Sequence, residues 1–434
     1  MCNQPQVKVW KATALPPNWV KRQTSDEKAS EQLESDVKAI INKVIKNGDA
    51  ALIALTEKFD KARLAAKDLR VKPAEIKEAY QAVSEEQISA LKFIKDKVSA
   101  FEKRVLKQVG FKTSRAGITV RNVLRPIGSV GCYVPGGQAA YPSTLVMTAV
   151  PAKVAGVPRI VVCSPPNAKG TVNPLVLVAA DICGVNEVYK VGGAQAVAAL
   201  AYGTATIKSV RKIVGPGNKY VTAAKILVSK DVAIDMPAGP SEILVLADET
   251  ANPQLIALDM VSQAEHGVDS VAGLITTSEK LAGEVQGWLA KAAASAERGE
   301  IVGKALEKYG FIITCGSMDK AVELANVFAP EHIEIMTRNP EEIAEKIKSA
   351  GMILVGSYSP VALSDYASGT NHVLPTGGFG HAISGLSALD FTRRVSIVES
   401  SKEGLQSVRK RVKVMTEAEN LPNHYNAVEA RFEK

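Results

Sequence analysis

Residues 159–165 (RIVVCSP), 175–184 (LVLVAADICG), 187–193 (EVYKVGG), 194–203 (AQAVAALAYG), 212–215 (KIVG) and 219–230 (KYVTAAKILVSK) succeed one another with little between them. Short β-branched runs alternate with longer apolar segments of helical length, and glycines punctuate the turns. Parallel strands need a crossover between them, usually a helix, so this βαβ alternation predicts a parallel, Rossmann-like sheet. A second series repeats the pattern: EILVLAD (242–248), SVAGLITTS (270–278), YGFIITCG (309–316), EHIEIMT (331–337) and GMILVGS (351–357). The expected fold class is α/β, with two Rossmann-like domains whose parallel sheets are flanked by helices.

Upstream, residues 26–102 follow a helical pattern in which Leu33, Val37, Ile40, Ile41, Val44 and Ile45 form one apolar stripe. Asn47-Gly48-Asp49 ends that helix, with Gly48 suited to a left-handed cap and Asp49 to the start of the next helix. The character changes after Arg125-Pro126. Downstream of Ser384 the chain becomes charged and helical, ending in a polar tail (415–434) of the kind that docks on another surface. The expected organisation is an extension (1–25), a first α/β domain made of 26–130 plus 241–384 with a helical N-terminal part, a Rossmann-like domain (131–240) and a helical arm (385–434).

The 434 residues are 46% hydrophobic and 23% charged with mean hydropathy +0.03, the proportions of a folded, water-soluble chain rather than a disordered one. No apolar run reaches the roughly 18 residues of a membrane span, and residues 1–17 lack a signal-peptide core, so a cytoplasmic location is expected. The net charge of +8 is spread among acids, without an aromatic-rich basic stretch. It points to a solvated surface and an anionic cofactor rather than to nucleic acid. The five cysteines (Cys2, Cys132, Cys163, Cys183, Cys315) are scattered and never spaced C-x-x-C, which argues against a disulfide framework or a thiolate zinc site.

Chemistry must come from few residues, since the histidines number five. In SQAEHG, Gln263 and His266 stand three apart at the end of a predicted helix and can face one ion. DYASGTNH adds Asp365 and His372, and the tail adds His424. Oxygen and nitrogen ligands without thiolate suit Zn²⁺, Mn²⁺ or Co²⁺, while a helix-capping Asp365 and a solvated His424 fit the same spacing. In APEHIEIM, Glu331 and His332 can serve one site only if the backbone turns there, because neighbours on a strand point to opposite faces. An imidazole of near-neutral pKa can accept a hydroxyl proton and a carboxylate can deprotonate water; an exposed Glu beside a structural His fits equally well. The loop Gly215-Pro216-Gly217 before a helix is a phosphate cradle or a tight turn, and it lacks the third glycine of the dinucleotide fingerprint.

Taken together, RPIGSVGCYVPGG (125–137), VGGAQAVAALAYGT (191–204), VGPGNKYVTAAK (214–225), IDMPAGPSEILVLAD (234–248), SQAEHGVDS (262–270), APEHIEIM (329–336), DYASGTNHVLPTGG (365–378) and SGLSALDFTRR (384–394) occur in the order of one family. The chain resembles the histidinol dehydrogenases from about Asp26 to its end; residues 1–25 match poorly and carry no expected chemistry. The resemblance implies one Zn²⁺ per subunit, bound by Gln263, His266, Asp365 and His424, which clamps the amino and imidazole nitrogens of L-histidinol. Those residues with His332, Ser241 and Glu419 would line the substrate pocket, and His372 would support it. NAD would contact Tyr133, Gln195 and Asn218 in the 131–240 domain.

The resemblance further implies a homodimer in which the arm reaches the neighbouring subunit, so that Glu419 and His424 act in trans. His332 would be the base for two successive hydride transfers, and Glu331 would activate the water that attacks histidinaldehyde between them. Water attack makes a thiohemiacetal on Cys132 or Cys163 unnecessary. Competing readings are a related zinc- and NAD-dependent dehydrogenase of another polar alcohol such as a sulfonated diol, a zinc hydrolase, and a basic nucleic-acid-binding protein, with the Rossmann-like run arguing against the hydrolase.

Overall fold

The computed structural model describes residues 7–22, 27–136, 141–237 and 239–433. Its strands are β1 (Lys8–Lys11), β2 (Phe111–Arg115), β3 (Ile118–Pro126), β4 (Val130–Tyr133), β5 (Ile160–Ser164), β6 (Glu187–Lys190), β7 (Lys212–Val214), β8 (Ala233–Ile234), β9 (Glu242–Ala247), β10 (Val271–Thr276), β11 (Phe311–Thr314), β12 (His332–Met336), β13 (Met352–Val355) and β14 (Thr392–Ser400). They form a parallel five-stranded sheet (β6-β5-β4-β7-β8), a parallel six-stranded sheet (β1-β11-β10-β9-β12-β13) and an antiparallel three-stranded sheet (β14-β3-β2). Both βαβ series lie where the sequence pattern put them. β5, β9 and β10 are buried along their whole length without polar alternation, as strands covered on both faces must be.

The helical N-terminal part belongs elsewhere than expected. Val37, Ile41 and Val44 of the helix Glu27–Asp60 share a core with Val197, Leu200 and Val221 on one face of the five-stranded sheet. Leu91, Ile94 and Val98 of the helix Glu85–Lys107 pack on the other face against Leu145, Val146 and Val176. The helices of residues 27–107 therefore complete the 131–240 sheet rather than a sheet of 241–384, while β2 and β3 pair with β14. The first helix breaks at Gly48, which has φ +52, as its sequence suggests. Asp49 follows that break at the head of the next helical stretch, and its carboxylate accepts hydrogen bonds from the N–H and hydroxyl of Thr206.

Two other regions depart from expectation. Residues 7–22 are part of the six-stranded sheet: β1 pairs with β11, and Trp19 stacks on Phe328 at 5.8 Å. The arm begins as a strand, because β14 pairs along nine residues with β3 before the helices Lys402–Ala418 and Pro422–Glu429 begin. Those two helices pack on each other, with Arg409 held by Glu429 and Tyr425. Among the described residues no helix is long and apolar enough to cross a membrane.

Strand direction decides where side chains can meet. Tyr133, Gln195 and Asn218 lie at or just beyond the carboxyl ends of β4, β6 and β7. Ser241, Glu331 and His332 lie at the amino ends of β9 and β12. The helix Pro253–Ala264 runs back from the end of β9 toward the start of β10 and so returns Gln263 and His266 to that amino edge.

Candidate active site

The turn that the Glu331–His332 pair requires is present. The helix Met318–Phe328 ends on Ala329 in the left-handed conformation (φ +48), Pro330 follows, and β12 begins at His332. The chain passes close to its neighbour here: a Cβ on Gly351 would lie 2.6 Å from the Glu331 carbonyl oxygen. Both Glu331 and His332 are buried, and His332 Nδ1 stands 3.7 Å from Glu331 Oε2.

Glu242, the first residue of β9, organises both. Its N–H donates to Glu331 Oε2 at 2.8 Å, while the Glu331 N–H donates to Glu242 Oε2 at 3.3 Å. Its carbonyl oxygen lies 3.3 Å from His332 Nδ1. A carbonyl only accepts, so Nδ1 carries the hydrogen and Nε2 keeps its lone pair. That Nε2 is buried without a hydrogen-bond partner among the described residues and lies 3.9 Å from Asp365 Oδ1. Asp365 Oδ1 also lies 4.0 Å from His372 Nδ1.

Burial dominates the electrostatics of this cluster. It pushes His332 down to about 3 and His372 to about 4, so both imidazoles are neutral at physiological pH. His266 stands exposed at the rim, yet enough protein crowds it that desolvation lowers its pKa too. Asp365 is pushed up to about 7 by desolvation, and among the described residues no lysine or arginine pairs with it. Glu331 is raised well above the usual carboxylate range, by burial first and then by the charges of Glu242 and Asp365. An uncompensated carboxylate beside an imidazole nitrogen with a free lone pair fits a cation.

A second carboxyl pair ties the surrounding elements together. Glu334 of β12, pushed up to about 9 by burial and then by the neighbouring Asp259, accepts the Val361 N–H at 2.8 Å. It thereby joins the helix carrying Gln263 and the helix Val361–Tyr366 carrying Asp365 to the strand of His332. A cavity of about 400 Å³ opens beside His266, lined also by Leu91, Tyr141, Glu265, Arg298 and Tyr366.

The expected metal set is brought together only in part. His266, Asp365 and the two buried imidazoles converge, and Gln263 is buried on the last turn of its helix, two residues before the helix's C-cap Glu265. His424 and Glu419 are exposed on the arm, and no hydrogen bond or ion pair among the described residues joins them to the cluster. Within one chain no group of three or more His, Cys, Asp or Glu among the described residues is arranged to hold a metal. Ser241 lies beside Glu242 at the start of β9, its carbonyl accepting the Val271 N–H.

At the other sheet, the Tyr133 hydroxyl accepts the Gly193 N–H at 3.1 Å, and Gln195 follows two residues on, buried. Asn218 caps the helix Lys219–Val228, its side chain accepting from the N–H groups of Tyr220 and Val221. The loop before it is clamped from inside: Asp235 accepts the Gly215 N–H at 2.7 Å, and Lys225, ion-paired with Asp235, donates to the Gly215 carbonyl at 2.9 Å. Cys132 and Cys163 are buried, and burial pushes the Cys132 thiol up to about 12 and that of Cys163 higher still. Neither supplies a thiolate.

Sequence reasoning passed over Glu242 and Arg22. A glutamate opening a strand that is otherwise wholly apolar was a signal for the first. Nothing local marks Arg22, whose guanidinium Nε lies 2.9 Å from Glu242 Oε1.

Two helix-flanked parallel sheets, one carrying a buried carboxyl–imidazole cluster at its amino edge, define an α/β protein with a candidate acid–base site, and relatives make the assignment specific. The histidinol dehydrogenase family matches residues 22–432. Histidinol dehydrogenase of Methanocaldococcus jannaschii is 46% identical over 403 residues, covering 93% of each chain, and that of Clostridium acetobutylicum is 47% identical over 405 residues, covering 93% of this chain and 94% of its own. The crystal structure of histidinol dehydrogenase from Elizabethkingia anophelis superposes with a TM-score of 0.92 at 38% identity, covering 98% of each chain. The chain belongs to the histidinol dehydrogenase family.

Proposed function

We propose that this protein oxidises L-histidinol through L-histidinaldehyde to L-histidine, the closing steps of histidine biosynthesis, with NAD as electron acceptor, one Zn²⁺ per subunit and a cytoplasmic homodimer as the working form. The observation that carries the reading is the His332 ring: its Nδ1–H is held by the Glu242 carbonyl on the side nearer Glu331, and its Nε2 lone pair is buried beside Asp365 without a hydrogen-bond partner among the described residues.

Zn²⁺ would be held by Gln263, His266, Asp365 and, from the partner subunit's arm, by the residue equivalent to His424, where its charge would fix the two substrate nitrogens and favour ionised carboxylates nearby. NAD, the hydride acceptor in both oxidations, would lie against Tyr133, Gln195 and Asn218. Ser241, Glu419 and His424 would complete the substrate pocket, and neutral His372 would support Asp365.

His332 Nε2 takes the hydroxyl proton of the alcohol in the first oxidation and of the aldehyde hydrate in the second. Its neutral state suits it to accept rather than donate at the start. Glu331, once ionised, draws the proton from water as that water adds to the aldehyde. The burial of Glu331 and His332 limits the access of bulk solvent to an aldehyde held against them between steps.

The test is absorbance of NADH on mixing the zinc-loaded protein with L-histidinol and NAD. Two NADH per L-histidine formed is the expected yield. Equal turnover of L-histidinol and a simple or sulfonated diol would overturn the substrate assignment, and turnover undiminished by chelation would overturn the metal.

A further inference from the structure

Glu242 is 1% exposed, and its polar atoms are engaged almost entirely with the acid–base pair and what flanks it. Because His332 is in register with Ile243, Glu331 falls opposite Glu242, and the two glutamates exchange backbone N–H bonds to each other's carboxylate. Two carboxyl groups side by side in a buried site are relieved by a proton or by a cation. The residue that supplies the cation is Arg22, whose side chain is also largely buried.

Arg22 grips both flanks of the same turn. Its guanidinium lies 3.8 Å over the Phe328 ring and donates to the carbonyls of Phe328 and Ala329, the residues leading into Pro330 and Glu331. Its Nε meets Glu242 Oε1, which also accepts the Gly377 N–H at 2.8 Å from the loop that follows His372. The fork geometry of arginine serves this purpose, since one planar group addresses a carboxylate and two carbonyls at once. Residues 7–22 are anchored for it by β1 and by Trp19 on Phe328.

We propose that Arg22 and Glu242 are positioning residues for the acid–base pair: Arg22 locks the Glu242 carboxylate and the turn before Glu331, and Glu242 in turn fixes the Glu331 carboxylate and the Nδ1 edge of His332. Neither touches the reacting atoms. The inference rests on the assignment of Glu331 and His332 as the acid–base pair, and it gives the N-terminal segment, which looked inert in sequence, a role in the chemistry.

The experiment compares zinc-loaded wild type with Arg22→Met and Arg22→Lys. A displacement of the pair by a fraction of an ångström predicts that Arg22→Met lowers kcat for both L-histidinol and L-histidinaldehyde by about 10–100-fold, with KM for each changed less than about twofold. Arg22→Lys, which keeps the charge without the fork, recovers part of kcat. A second readout needs no turnover: ¹⁵N spectra of histidine-labelled protein, with the His332 signal identified by its loss in His332→Asn. Wild type shows the Nδ1–H tautomer, and Arg22→Met shifts His332 toward a mixture.

A fall in melting temperature with kcat and the His332 tautomer both unchanged would make the pair structural only and overturn the proposal. If Arg22→Met does not fold, Arg22→Lys carries the same comparison. Wild type that makes no NADH from L-histidinol would defeat the functional assignment instead, while the tautomer comparison would still decide whether Arg22 holds His332.

Discussion

Glu331→Gln separates the two roles assigned to neighbouring residues. The amide keeps an acceptor for the Glu242 N–H now bonded at 2.8 Å, and the backbone bond from Glu331 to Glu242 does not involve the substituted group. The substitution also removes an acid that burial, Glu242 and Asp365 all disfavour as a charge. Folding stability should therefore stay within about 1 kcal/mol of wild type or rise. The chemical effect falls on water addition. Loss of a positioned base costs about 10²–10⁴-fold, or about 3–6 kcal/mol of barrier at ~1.4 kcal/mol per tenfold. Alcohol oxidation, which needs His332 alone, should fall less than about tenfold. Single-turnover NADH formation, started separately from L-histidinol and from L-histidinaldehyde, measures the two steps. His332→Asn should impair both. Equal loss in both steps for Glu331→Gln, with the fold intact, would refute the division of labour.

Three further outcomes follow from named contacts. Asp365 ionises near 3.8 when unfolded and near 7 when folded without metal, so its cost to folding grows between about pH 4 and 7 and persists above, at most about 4 kcal/mol. Chelation should lower the melting temperature more at pH 8 than at pH 5, and Asp365→Asn should abolish that difference; subtracting the variant removes the opposite trend of His332 and His372, which lose stability as pH falls below 6.5. Gly215→Ala would place a Cβ 2.2 Å from the Tyr133 carbonyl oxygen at φ +114, so it should cost about 1–3 kcal/mol and raise KM for NAD, measured by thermal melting and initial rates. An arm acting in trans predicts that mixing the inactive variants His332→Asn and His424→Ala, with subunit exchange, restores about a quarter of wild-type activity, because half the dimers carry one intact site; no restoration would place His424 in its own subunit's site.

Much of the architecture was legible because it is locally encoded. Runs such as EILVLA and VAGLIT are apolar without alternation, which only a doubly covered strand tolerates, and the glycine breaks at Gly48 and Gly215 mark turns that other residues adopt with strain. The antiparallel pairing of β14 with β3 was not legible, since the two strands are separated by more than 260 residues in the chain and a charged segment such as TRRVSIVES also reads as helix. The helical N-terminal part was misplaced for a related reason: an apolar stripe states that a helix will be covered, and says nothing of which sheet covers it.

By itself the sequence determined the α/β class, the order of the strands along the chain, the scarcity of histidines and the motifs that mark the family. Tertiary structure alone decided that the carboxyl edge of one sheet would carry Tyr133, Gln195 and Asn218 and the amino edge of the other Glu331 and His332. It also decided that the chain would turn at the left-handed Ala329 just before Glu331 and His332, and that Arg22 would face Glu242, some 220 residues away in the chain. The physical reason is that spacing fixes local direction, whereas pKa, tautomer and charge compensation depend on neighbours that only folding supplies.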